Sequence, residues 1–168
     1  MINWIFYPKS KRPPEIVFKV VSIFKEMADK IDSRSFDLKS NQVLGMVSTR
    51  LQEIGFRVEK SSMKEDRIEV PVLFGRNGRL DKAFRADAYN EKECFVFEVE
   101  AGRGVLNYQF LKDLFQACMM SDVKYLGLAV RNIYKNSNDF DTVETFFETL
   151  YVSNRLQLPL DGVLLIGY

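Results

Sequence analysis

The sequence predicts a mixed α/β domain in which an antiparallel meander leads into partly parallel strands flanked by helices. Three observations carry this prediction. Apolar residues recur at helical spacing over 15–31 and again over 41–54. Beyond Gly55 the period shortens to that of strands, with turn residues between the runs as far as 100. The last third then alternates β-α-β-α-β, which needs right-handed crossovers and a parallel component in the sheet. A chain of 168 residues, 46% hydrophobic and 13% aromatic, is the size of one domain and can fill its core.

The first 14 residues carry Trp4, Phe6 and Tyr7 beside Lys9, Lys11 and Arg12, and Pro13-Pro14 stop regular structure. This stretch reads as an arm packed by its aromatics, the alternative being a nucleic-acid contact. Ile16, Val17, Val20, Val21, Phe24, Ala28 and Ile31 line the first helix. After the polar loop "DSRSFDLKS", Val43, Val47, Leu51 and Ile54 line a second, with Ser40 as its expected cap and Gly55 in the left-handed C-terminal position. "FRVEK" is a short strand, "IEVPVLFG" a longer one, and Asn77-Gly78 the turn of a hairpin that returns over Leu80–Tyr89. Residues 94–100 complete the expected meander. Asn107 is placed as the cap of a third helix running to about Met120. Its core face is expected at Leu111, Leu114, Phe115 and Cys118, and its polar face at Gln109, Lys112, Asp113 and Gln116. The polar face is either solvated or a contact to a DNA backbone or a second copy. "KYLGLAVRN" is a strand apolar enough to be covered on both sides, followed by a helix near 139–152 and the strand "GVLLIGY".

Composition excludes several chemistries. Twenty-four basic residues against 23 acidic ones leave a formal charge of +1, so any nucleic-acid surface must come from local clustering. There is no histidine, which removes Ser-His-Asp, Cys-His and His-metal catalysis. No G-x-x-x-x-G-K-[ST] loop occurs, and Gly102 and Gly104 make only a G-x-G. Cys94 and Cys118 are expected as reduced core residues. No apolar run reaches about 18 residues, and the start turns basic too soon for a signal peptide. A cytoplasmic protein without a membrane segment is the expectation.

Carboxylates must therefore do any chemistry. In "CFVFEVEAG", Glu98 and Glu100 share one face of a strand, about 7 Å apart. Two charges at that distance repel by roughly 2 kcal/mol at an effective dielectric of about 20. The turn at 90–93 brings Asp87 of the preceding strand to the neighbourhood of Glu98. Two readings are open. The acids line a solvated face with Arg85 or Arg103 as counter-ions, or they hold a hard cation such as Mg²⁺, which takes one or two carboxylates plus water and phosphate.

These residues resemble a family. A helix, a meander, a crossover helix and a further strand, with an acid in "FRADAY" and an acid-x-acid in "FVFEVEAG", look like the core of the PD-(D/E)xK nucleases, the restriction-endonuclease-like fold. The resemblance covers about 40–132 within a single domain of 1–168, with the arm and first helix over 1–39 as additions. Ala86 stands where the family has proline, and Glu100 where most members have lysine, although some restriction enzymes carry glutamate there. The resemblance implies a Mg²⁺-dependent DNA endonuclease in which Asp87 and Glu98 hold the metal. Glu100 takes a proton from water or binds a second ion. Glu53, near the end of the second helix, matches an acid that completes the site in some members. Arg103 is a candidate for a phosphate oxygen, and Arg131, Asn132 and Lys112 are candidates for DNA contact. Cutting both strands implies a homodimer. The alternative is a catalytically inactive nuclease-fold subunit that binds DNA or serves assembly in a defence or repair system. A ribonuclease-H-type site fits less well, because a helix precedes the meander and the strand at 68–75 has no acid pair.

Overall fold

The computed structural model describes residues 1–61, 63–102, 105 and 107–168. Its elements are β1 (Asn3–Tyr7), α1 (Glu15–Glu26), α2 (Ala28–Ile31), α3 (Ser40–Glu53), β2 (Arg57–Val58), β3 (Ile68–Phe74), β4 (Leu80–Ala86), β5 (Ala88–Asn90), β6 (Phe95–Val99), α4 (Gln109–Met119), β7 (Tyr125–Val130), α5 (Asp139–Ser153) and β8 (Gly162–Gly167). Six strands form one mixed sheet in the order β1-β8-β7-β6-β5-β2, and β3 with β4 forms a separate two-stranded sheet. β6, β7 and β8 run parallel, while β1, β5 and β2 pair antiparallel.

The central strands are apolar on both faces because both faces are covered. Phe95, Phe97, Val99, Leu164 and Ile166 pack towards α1 and α3, against Phe24, Val47 and Leu51. Val96, Leu126, Leu128, Val163 and Leu165 pack the other way, against α4, α5 and the β3–β4 hairpin. Gly127 fits between aromatic rings, since a Cβ there would run into Phe97. Among the described residues no helix is long and apolar enough to cross a membrane.

Several expectations change. The N-terminal stretch is not an irregular arm. Residues 3–7 form the edge strand β1, from Asn3 opposite Gly167 to Tyr7 opposite Val163. Phe6 and Tyr7 are buried, so the aromatics pack the core rather than face a ligand. The first helix breaks at Met27 into α1 and α2. Ser40 does not cap α3; the Gln42 side chain reaches back instead, its Oε1 accepting the Lys39 N–H at 2.8 Å. Gly55 does take the left-handed conformation, at φ +95°, and Asn77 and Gly78 both turn the hairpin at positive φ. The two cysteines are free but only half-buried, not core.

The largest correction concerns the meander. The strand expected over Leu80–Tyr89 is two strands, and Asp87 is the residue between them. β4 leaves with β3 as a separate ribbon, while β5 joins the main sheet. The chain therefore bends at Asp87, which lifts that carboxylate off the pleat and turns it towards β6.

Candidate active site

Asp87, Glu98 and Glu100 meet in a cleft of about 470 Å³ where the ribbon departs from the sheet. Strand register does this. Ala88 pairs with Phe97, so Asp87 lies one step beyond, beside Glu98. Its Oδ2 accepts the Val99 N–H at 2.8 Å, which ties the bend to β6. Glu100 follows the end of β6, where its N–H reaches Ala129 O at 2.8 Å and its carbonyl accepts the Tyr168 hydroxyl at 2.8 Å. Backbone bonds on both sides of the carboxylates thus fix their positions.

A fourth carboxylate stands in the same cleft. Asp113 points inward from α4 and lies on the buried face with Phe110, Leu114 and Ala117. The core face expected for this helix was rotated by one residue. Of Leu111, Leu114, Phe115 and Cys118, only Leu114 is buried, and Phe115 is largely exposed. Nor does Asn107 cap the helix, since Tyr108 at φ +53° precedes its first turn. Asp113 is thus on the buried face, not on the polar face with Gln109, Lys112 and Gln116. Positions 110, 113, 114 and 117 follow the i, i+3, i+4, i+7 pattern, and an acid within it was the available signal.

Burial sets the electrostatics. It pushes Asp87 up to about 6, against the pull of the Val99 hydrogen bond, with the Glu59 and Asp113 charges adding to the rise. Glu98 rises well above the ordinary carboxylate range, again by burial first and then by the neighbouring Asp87. Glu100 is pushed up to about 8 by burial and by a hydrogen bond shared with Asp113. Asp113 also rises through burial, opposed by Glu100 and Lys112. Four acids that resist ionising together describe a site short of positive charge.

Among the described residues, the cations nearby do not fill that deficit. Arg85 is paired with Glu59 on the cleft wall. Lys112 stands at the rim, 60% exposed, with Nζ 3.8 Å from Asp113 Oδ1. Glu59, at the end of β2, was not foreseen in the site. It lines the cleft and its N–H donates to Asp87 O at 2.8 Å.

Glu53, by contrast, does not line the cleft. It lies in the last turn of α3, half exposed and paired with Arg50 at 2.8 Å. Arg131 and Asn132 do not face the carboxylates either. Arg131 is buried and holds Asp37 and the Leu38 carbonyl, and Asn132 binds Met1 O at 2.8 Å and Asn3 at 3.1 Å. Both fasten the N-terminal segments to the end of β7. Arg103 lies outside the described residues.

Among the described residues, no three acids or thiols gather into a ready-made metal-holding group. The donor set nevertheless suits Mg²⁺, an ion held by one or two carboxylates with water and phosphate completing its shell rather than by an all-protein cage. The observation behind that fit is Asp113 Oδ2, a buried carboxylate oxygen that meets no hydrogen-bond partner among the described residues.

No family model matches the chain, and no curated protein matches it in sequence. A solved structure does match: the crystal structure of restriction endonuclease BglII complexed with a DNA 16-mer. It aligns with 99% of this chain and 77% of its own at a TM-score of 0.57 and 14% identity. The chain therefore has the restriction-endonuclease-like fold, a mixed sheet flanked by helices.

Proposed function

We propose that the protein is a Mg²⁺-dependent DNA endonuclease of restriction type, acting as a homodimer in the cytoplasm. One observation carries the reading. In a restriction-endonuclease-like fold, Asp87 and Glu98 converge at the point where the ribbon leaves the sheet, half-buried and, among the described residues, without an ion pair. BglII, which shares the fold, was crystallised with DNA, and duplex DNA is the substrate proposed here.

Asp87 and Glu98 would hold the ion. When bound there, Mg²⁺ supplies positive charge beside a phosphate and makes a water molecule more acidic. The chain's own groups supply position and proton handling. The Val99 N–H holds Asp87 in place. Glu100, held by its backbone bonds to Ala129 and Tyr168, takes the proton of the attacking water, a role lysine cannot fill while charged. Lys112, at the rim, meets a phosphate oxygen of the DNA backbone. A symmetric pair of such sites cuts both strands in one encounter.

Glu100 in place of lysine favours a second reading, a nuclease-fold subunit that binds DNA without cutting it. Incubating the protein with unmethylated phage and plasmid DNA, in Mg²⁺ or in EDTA, separates the two. Cleavage that needs Mg²⁺ and is lost in Glu98→Ala supports the endonuclease. DNA retention without cleavage in any metal would make the chain a binding subunit.

A further inference from the structure

We propose that the pocket between the 33–37 loop and the chain just after β7 takes a single unpaired nucleotide, free or extruded from a DNA strand. It has a volume of about 630 Å³ and shares no lining residue with the carboxylate cleft. That volume holds one base with its sugar and phosphate. Two aromatic side chains line it. Phe36 is 43% exposed and offers a flat apolar surface. Tyr134 is held in place, with the Arg131 guanidinium carbon 5.1 Å from its ring centre. Gly102 lies so close that a Cβ there would come within 2.9 Å of the same ring. Every base has a π-face, so aromatic walls accept a base whatever its identity.

The charges suit the rest of a nucleotide. Arg34 and Lys135 line the pocket, and among the described residues neither closes an ion pair with a carboxylate. Asp32, the acid nearest Arg34 in sequence, is taken up by the N-terminal ammonium at 3.3 Å and by the Arg34 N–H at 3.1 Å. Lys135 sits at φ +54°, a conformation that a long side chain rarely adopts. Tyr134 and Ser137 close that turn, each N–H bonding the other's carbonyl at 2.9 Å. Arg131 Nε, in the pocket wall, is buried and meets no acceptor. Open donors of this kind suit phosphate oxygens. Asp37 is the one acid of the lining: its Oδ1 accepts Arg131 Nη1 at 2.6 Å, and its side chain is otherwise 87% exposed. A carboxylate oxygen accepts from an exocyclic amino group, which adenine, guanine and cytosine carry and thymine lacks. The pocket also adjoins the acids. Ser33 Oγ donates to Tyr168 O at 2.5 Å, and the Tyr168 hydroxyl donates to Glu100 O at 2.8 Å. A strand passing the acids therefore meets this pocket at the neighbouring strand end. Filling it needs neither metal nor cleavage, so its occupancy is read independently of the proposed function.

Heteronuclear NMR of the full chain in EDTA, with the four deoxynucleoside 5′-monophosphates titrated in turn, tests the assignment. dAMP, dGMP and dCMP should shift the backbone amide signals of residues 33–37 and 133–135 with Kd of about 1 mM or below. dTMP should bind at least about threefold more weakly. Phe36→Ala and Arg34→Ala change exposed side chains and should leave the fold intact. Each should weaken dAMP binding about fivefold or more. Two duplexes separate the sources, one carrying a single base opposite an abasic position and one fully paired. Preferential displacement of dAMP by the first assigns the pocket to an extruded nucleotide; without that preference it belongs to a free one. Equal shifts from inorganic phosphate alone would make the pocket an anion seat and overturn the nucleotide assignment. Wild-type affinity for dAMP in Phe36→Ala would overturn it too. So would the absence of any shift at these residues with nucleotide up to about 10 mM.

Discussion

Replacing Asp87 by asparagine should stabilise the metal-free protein at neutral and alkaline pH. Burial raises the Asp87 carboxyl from 3.8 to about 6. Between those values the folded chain keeps a proton that the unfolded chain has released, so the Asp87 contribution to stability falls as pH rises through the window and stays lost above it. At about 1.4 kcal/mol per pH unit, the loss is about 3 kcal/mol. Asparagine has nearly the same shape, keeps an oxygen to accept the Val99 N–H, and does not titrate. Urea unfolding in EDTA, wild type beside Asp87→Asn at pH 4 and at pH 8, reads the effect as a difference of differences. Any intrinsic cost of the amide cancels in that comparison. The variant is expected to gain about 2.5 kcal/mol relative to wild type on going from pH 4, where the unfolded carboxyl is already half ionised, to pH 8, or about 5–10 °C in Tm for a chain of this size. An unchanged or negative difference would mean that the Val99 hydrogen bond and Arg85 outweigh burial, and the charge-starved site would lose its physical basis.

Other outcomes follow from the same structure. Wild-type stability in EDTA should fall steadily from pH 5 to pH 9, because Glu98 and Glu100 are raised as well; millimolar Mg²⁺ should restore Tm at pH 8 and barely move it at pH 5, as differential scanning fluorimetry will show. Gly127→Ala drives a methyl group into the Phe97 ring and should cost about 2 kcal/mol or more in urea unfolding, leaving the m-value unchanged. Removing residues 1–7 strips β1 from β8 and bares a long apolar edge, so that chain should sediment as aggregate where the full-length protein does not.

The strand acids were legible because their placement depends on local rules. The two-residue period puts Glu98 and Glu100 on one face, and a short turn at 90–93 returns Asp87 to Glu98. What the sequence hid depends on distant partners. β1 is Asn3 followed by four aromatic or aliphatic residues, its strand partner among the described residues is β8 at the far end of the chain, and nothing local marks it as an edge strand. The bend at Asp87 was hidden because alternation runs straight through it, from Phe84 and Arg85 to Asp87 and Ala88; only the departure of β3 and β4 as a ribbon breaks the strand there. Asp113 escaped for the opposite reason. Its polarity argues for solvent, while the helical period it shares with Phe110, Leu114 and Ala117 argues for the core.

The same residue shows why this cleft differs from one built with a lysine on the strand. An ammonium at position 100 would neutralise one neighbouring carboxylate permanently, at any pH below its own high pKa. With Glu100 there, and Lys112 mostly in water at the rim, the described residues place no close counter-charge among the four acids of the cleft, of which Asp113 is fully buried and the others half-buried. Protons can balance them, held on Glu98 well above the ordinary carboxylate range and on Glu100 up to about 8. A divalent cation can balance them as well, and it does so only by displacing those protons. On the proposed function, the metal-free and metal-loaded cleft would be two charge states of one structure. The geometry that makes the apo site weakly acidic is also what makes it receptive to metal.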